Sequence, residues 1–180
     1  MPLIILDRDG VINYESTDFI KSEDEWNPIP GSLKAISQLS QNGYRIIIVS
    51  NQSGISRRKF TIADLNTIHQ KMMTHLAQFG GSIEAIVICP HGPRQGCDCR
   101  KPKPGMLFDI AKRLHISLKD VYFVGDSQRD IDAAEAAGAK PVLVRTGNGA
   151  VLDDSGNVPV DVPVYTDLAE FVDTLLSNAA

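Results

Sequence analysis

The sequence predicts an α/β fold built on a parallel sheet with helices on its faces, and three observations carry the prediction. Short apolar runs rich in β-branched residues recur along the 180-residue chain, each followed by a longer stretch with helical spacing. Most of these runs are continuous rather than alternating, which fits strands covered on both faces. Polar clusters stand directly after several of them, at the strand ends where sheets of this kind hold ligands.

The strands are expected at 3–6, 45–49, 83–88, 121–124, 142–144 and, more weakly, 162–165. Between them, Leu33, Ile36 and Leu39 repeat at helical spacing after Pro30-Gly31-Ser32, and the pattern stops at Gly43. Thr61 and Asp64 resemble a capping box, and an apolar stripe from Ile62 through Ile68, Met72 and Leu76 to Phe79 makes the longest helix. Pro104 suits the first turn of a helix over 106–115, 130–137 is an Ala-rich helix closed by Gly138, and a last helix covers about 167–176. The irregular stretches are 10–30, 52–60, 90–103 and 146–160. Loops of that length usually bind something.

Composition narrows the classes. With 43% hydrophobic and 22% charged residues the chain can bury a core, which excludes a disordered protein. Eighteen Lys plus Arg against 22 Asp plus Glu give a net charge of −4, so no nucleic-acid partner is expected. No apolar run approaches the ~20 residues that span a bilayer and no export signal opens the chain, so no membrane partner is expected and a cytoplasmic location is. One domain over 1–180 and a monomer are expected, since no linker, repeat or heptad pattern appears.

Asp7-Arg8-Asp9-Gly10 follows the first run, and residues two apart in extended chain project to one side. Two carboxylates so close call for a cation or a shared proton, which suits a Mg²⁺ site or a nucleophile beside an acid; a solvated turn is the plain alternative. Ser50-Asn51-Gln52-Ser53-Gly54 ends the second run with hydroxyl and amide groups able to cradle an anion, or simply to turn the chain. Gly125-Asp126-Ser127 follows a third run. Asp126 could complete a Mg²⁺ shell, while Asp130 is explained by the first turn of a helix alone. Arg100-Lys101-Pro102-Lys103 gathers three cations before a helix. All three cysteines fall in Cys89-Pro90-His91, five residues, then Cys97-Asp98-Cys99. Three thiolates and an imidazole complete a tetrahedral Zn²⁺ shell with no open position, hence a structural ion in a loop over 89–99. His69, His75 and His115 carry no such signal; packing or solvent explains them.

In this order, Asp7-x-Asp9-Gly10-Val11, Ser50, Lys101 and Gly125-Asp126 with Asp130 resemble the four motifs of haloacid dehalogenase-like phosphatases, over roughly 3–138. The resemblance implies a Rossmann-like sheet and a Mg²⁺-dependent phosphomonoester hydrolase. Asp7 would be the nucleophile that forms an aspartyl phosphate, and Asp9 the acid toward the leaving oxygen and then the base toward water. Asp7, the Asp9 carbonyl and Asp126 would hold Mg²⁺. Ser50 and Lys101 would balance phosphoryl charge, and Arg100 would touch the substrate, as would Glu15, Ser16, Thr17, Asp18, Asn51, Gln52 and Ser53. The Cys/His pattern and Asn51-Gln52-Ser53-Gly54-Ile55 place the chain near the branch acting on small phosphorylated sugars, with histidinol phosphate as the alternative substrate. Ser50 replaces the Thr of many members and keeps the hydroxyl. Ser127 stands where some relatives carry Lys, removing a cation that would reach the substrate.

No gap between strands is long enough for an inserted cap domain, so the site should lie open with the zinc loop as a partial wall. Zinc is further expected to position Lys101, two residues beyond Cys99. Two other classes share some of these features: a phospho-acceptor signalling domain, which Asp9 disfavours because an acid/base there promotes breakdown of the acyl phosphate, and a zinc-stabilised binding module.

Overall fold

A computed structural model, which describes residues 1–179, contains one sheet of six strands, all neighbours parallel. In chain order they are β1 (Leu3–Leu6), β2 (Arg45–Asn51), β3 (Ala85–Cys89), β4 (Tyr122–Gly125), β5 (Lys140–Val144) and β6 (Val164–Tyr165). The helices are α1 (Ser32–Gln41), α2 (Ile62–Gln78), α3 (Gly105–Leu114), α4 (Gln128–Ala137), α5 (Gly149–Asp154) and α6 (Leu168–Ala179). The spatial order is β3-β2-β1-β4-β5-β6, so the direction of winding reverses between β1 and β4. That reversal opens a crevice at the carboxyl ends of the central strands.

Alternation along the central strands divides the apolar core into two layers. Ile4 and Leu6 of β1 and Ile46 and Ile48 of β2 face Ile36, Met72 and Phe171 from α1, α2 and α6. Leu3, Ile5, Ile47 and Val49 face Met106, Leu107 and Ile110 of α3 and Ala133 and Ala134 of α4. Each such Leu or Ile contributes roughly 1.5–3 kcal/mol by leaving water. The capping box of α2 forms as expected: Asp64 N–H donates to Thr61 Oγ1 (3.1 Å) and Thr61 N–H to Asp64 Oδ2 (2.7 Å).

Three expectations are corrected. The third strand begins at Ala85 rather than residue 83 and is exposed at its start, because it sits at the sheet edge with a partner on one side only. The sixth is two residues long, and 146–160 contains helix α5. The loop 10–30 is mostly irregular but firmly seated: a single 3-10 turn at Glu23–Glu25 leads into fully buried Trp26, whose carbonyl, with that of Glu23, accepts from Lys71 Nζ on α2. Among the described residues no inserted cap domain interrupts the sheet, and no helix is long and apolar enough to cross a membrane.

Candidate active site and thiol cluster

The chain stays in the sheet through Asp7, whose N–H donates to Val124 O of β4 (2.9 Å), and then turns sharply: the N–H groups of Ile12 and Asn13 both return to Arg8 O. Gly10 makes the turn possible. Its φ is +82°, and a Cβ there would collide with the Asp126 carboxylate. Asp7 and Asp9 consequently both line one polar cleft of about 140 Å³, with Ser50, Asn51, Gln52 and Ser53 from the end of β2, Arg100 and Lys101 before α3, and Asp126 and Ser127 after β4.

At the cleft floor, Lys101 is 2% exposed, and its Nζ meets three oxygens: Asp7 Oδ2 (2.8 Å), Asp130 Oδ1 (2.7 Å) and Val49 O (3.1 Å). Burial alone would lower the ammonium's pKa, but Asp130 and Asp7 together hold it above its ordinary value. Asp7 is pushed well above the usual carboxylate range by burial, with Asp130 and Asp126 adding to the effect and Lys101 opposing it. Asp126 rises to about 6 through burial and the charge of Asp130, against the hydrogen bonds from Asn148.

Asp9 is the contrast. Burial pushes its carboxyl up, but the Arg8 guanidinium, with hydrogen bonds from Asn13, Arg8 and Gln52, outweighs burial and holds it below the usual range. Arg8 is itself buried and grips Asp9 with Nε (3.0 Å) and Nη2 (2.8 Å). Behind it, Arg8 Nη1 donates to His69 Nε2 (3.2 Å), which fixes the neutral ring with its proton on Nδ1. Burial and the Arg8 charge push His69 down to about 4, Asp9 opposing.

The structure gives the predicted loop residues more specific work. Gln52 Nε2 bridges Ser50 Oγ (2.8 Å) and Asp9 Oδ2 (3.0 Å). Asn51 holds the backbone of Lys101 at both ends, with 3.1 Å bonds to its N–H and its carbonyl. Glu15 and Ser16 line the cleft, where partial burial and the charges of Asp9 and Asp126 push Glu15 up to about 7. Thr17 and Asp18 do not line it. They lie on the outer side of the loop, where Asp18 pairs with Lys21 (3.1 Å).

Three residues outside the expected site adjoin it, and a fourth does more than expected. Arg8, Arg129 and Asn148 were not expected, and Asp130 does more than start a helix: it accepts from Ser127 N–H and Oγ (3.1 and 2.5 Å) while facing Lys101. Arg129 is exposed, has no carboxylate partner among the described residues and projects into the cleft near Arg100.

Asp7, Asp126 and Asp130 bring carboxylate oxygens within 4.8 Å of one another, and Lys101 is the single ammonium among them. A surplus of buried negative charge carried by hard oxygen donors fits Mg²⁺. The second cluster is soft. Cys89 Sγ lies 3.6 Å from His91 Nδ1 and 3.7 Å from Cys97 Sγ, close to the separations of about 3.7 Å that bonds near 2.3 Å to one tetrahedral ion would give, while Cys99 Sγ stands closer, at 3.0 Å. Burial, helped by the bond to Cys99, pushes the Cys89 thiol up to about 12. A dication inverts such a cost by binding the thiolates. The set fits zinc.

Fold and site together define a hydrolase of the haloacid dehalogenase-like class, and family models agree: Haloacid dehalogenase-like hydrolase matches residues 4–87 and HAD-hydrolase-like residues 98–171. The chain is 51% identical to the D-glycero-beta-D-manno-heptose-1,7-bisphosphate 7-phosphatase of Bordetella bronchiseptica over 99% of its length and 100% of the relative's. It is also 51% identical to the protein of the same name from Pseudomonas putida, over 98% and 100%. The crystal structure of the B. bronchiseptica D,D-heptose 1,7-bisphosphate phosphatase, complexed with magnesium and phosphate, superimposes with a TM-score of 0.97 over 99% of both chains. That of the Burkholderia thailandensis phosphatase, 40% identical, gives 0.78 over 98% and 99%. The chain belongs to the D-glycero-beta-D-manno-heptose-1,7-bisphosphate 7-phosphatase family.

Proposed function

We propose that this protein removes the 7-phosphate of D-glycero-D-manno-heptose 1,7-bisphosphate through an aspartyl phosphate on Asp7, a step in making heptose precursors of the lipopolysaccharide core. The observation that carries the reading is the placement of Asp7: a buried carboxylate with one oxygen 2.8 Å from Lys101 and within reach of Asp126, at the crevice of a chain 51% identical to phosphatases so named.

One oxygen of Asp7 attacks phosphorus in line, the bond to the sugar oxygen breaks, and Asp9 gives that oxygen its proton. Asp9 then takes a proton from water, whose oxygen attacks phosphorus, releasing phosphate and restoring the Asp7 carboxylate. Without substrate Asp9 is held ionised by Arg8, which suits its second role. The negative charge of an arriving phosphate favours protonation and prepares the first. Lys101 stays charged throughout because two carboxylates face it, and Ser50, at the end of β2, lines the same cleft with its hydroxyl held by Gln52. Mg²⁺, held by Asp7, the Asp9 carbonyl and Asp126, would supply the remaining positive charge around the transferred oxygens. Zn²⁺ held by Cys89, His91, Cys97 and Cys99 would fix the loop that delivers Arg100 and Lys101.

A bisphosphate leaves a second phosphate at the rim, where Arg100 and Arg129 face the cleft; Arg129 supplies there the cation that Ser127 lacks. Side-by-side kcat/KM values test the assignment. The heptose bisphosphate should exceed both histidinol phosphate and a heptose monophosphate by at least about 100-fold, about 2.7 kcal/mol of differential transition-state binding. Equal or better turnover of histidinol phosphate would transfer the proposal to that substrate.

A further inference from the structure

The turn Thr146-Gly147-Asn148, which follows β5, takes no part in the reaction above, yet it meets the site at three points. Thr146 Oγ1 donates to the carbonyl of Gly10 (2.6 Å). Gly147, with φ +59°, packs against the Cα of Gly10 and the carboxylate of Asp126 so closely that a Cβ would strike both. Asn148 donates to Asp126 Oδ2 twice, from its backbone N–H (2.8 Å) and from Nδ2 (3.0 Å), and the same amide reaches Glu15 Oε2 (3.3 Å).

The way this amide is used is informative. Asn148 occupies the position before α5, where an Asn side chain ordinarily accepts hydrogen bonds from the first turn, but it caps nothing. The residue is exposed, so its side chain is not driven inward by burial. Its two amide hydrogens instead serve two carboxylates on different loops. Both protein donors to Asp126 fall on Oδ2, leaving Oδ1 without one among the described residues.

We propose that Asn148 is a positioning residue that fixes the orientation of Asp126 for binding a divalent cation, by saturating one oxygen so that the other is presented. This rests on the reading of Asp126 as a metal ligand, and the experiment separates the two. Mn²⁺ binding to metal-free protein is measured, without substrate, for the parent, Asp126→Asn, Asn148→Ala and Asn148→Ser, alongside the melting of each metal-free protein. The Mn²⁺ dissociation constant should rise about 10–100-fold in both Asn148 variants, the range typical of partners that hold a metal ligand in place, while their melting stays at the parent's. Ser is a good helix cap but too short to span Asp126 and Glu15. If Ser restores parental affinity where Ala does not, the role is in starting α5 and the proposal falls. It falls equally if both variants bind Mn²⁺ like the parent, or if both lose the fold. A parent that fails to bind Mn²⁺, or an Asp126→Asn variant that binds it unchanged, would instead overturn the reading of Asp126.

Discussion

The molecule has two clusters of side chains able to hold a metal ion, about one loop apart, and they are held in opposite ways. The oxygen cluster grows from the ends of central strands. Asp7 continues β1, Asp126 follows β4, and each carboxylate is already engaged, Asp7 and Asp130 by Lys101 and Asp126 by Asn148. The sulfur cluster has one ligand, Cys89, on edge strand β3 and the rest in a loop with no regular structure, and its closest contacts are among its own ligands. The first arrangement is organised by the fold and needs a cation to finish its charge balance. The second gathers soft ligands on a loop with little other support, the arrangement in which a structural ion contributes most.

The largest effect separates chemistry from scaffold. Asp7→Asn should lower kcat by at least about 10⁴-fold while circular dichroism stays unchanged, because it removes the nucleophile from a site that other residues hold together. Turnover within tenfold of the parent would deny the covalent step. Next, stripping zinc with a chelator and resupplying Mg²⁺, or replacing Cys99→Ser, should cost about 100-fold in kcat and lower the melting temperature, since a shift of about 1 Å in Lys101 is enough for such a loss. Full turnover with zinc shown to be gone would mean that Asn51 and the ion pairs hold Lys101 without the loop. At the rim between the clusters, Arg129→Ala should raise KM about tenfold for the bisphosphate with kcat little changed, and leave a substrate carrying one phosphate unaffected. A kcat effect of that size would place Arg129 at the reacting phosphate instead.

The smallest effect lies behind the oxygen cluster. His69 is depressed to about 4 from an unfolded value near 6.5, so the native state resists a proton that the unfolded chain accepts. Stability from this group is therefore complete above about pH 6.5 and is lost as pH falls toward 4. His69→Gln keeps an acceptor for Arg8 and should flatten that limb by on the order of 1 kcal/mol, the partly exposed ring being screened in part by solvent. Urea midpoints at pH 7 and pH 4.5 would measure it. An identical slope in parent and variant would remove the linkage.

Much of this was legible because strand ends are readable. A continuous apolar run followed by Asp7, Ser50 or Asp126 identifies both a buried strand and the groups carried at its tip, and the cysteines mark the loop by their number and spacing. What was missed lies where one residue serves two elements. Asp130 has a sufficient local explanation at the start of α4, which hid its place opposite Lys101, brought near only by the sheet. Asn148 follows a strand end too, and its Thr-Gly-Asn turn fits the same rule, but the sequence marks the surrounding stretch only as irregular. Arg129 looks like any exposed helix residue until the crevice is built. Thr17 and Asp18 differ the other way: they share a loop with Glu15 and Ser16 but do not line the cleft, because membership of a loop does not decide which side of it faces inward.

The two bare α-carbons of Gly10 and Gly147 meet against Asp126 like the halves of a clasp. A methyl group on either would drive into the carboxylate or the opposite backbone, so neither position can accept a first mutational step on its own. During divergence the two turns and the acid between them would have to change as a unit. The rim, where Ser127 and Arg129 stand a residue apart, carries no such constraint, and a shift in substrate preference would begin there.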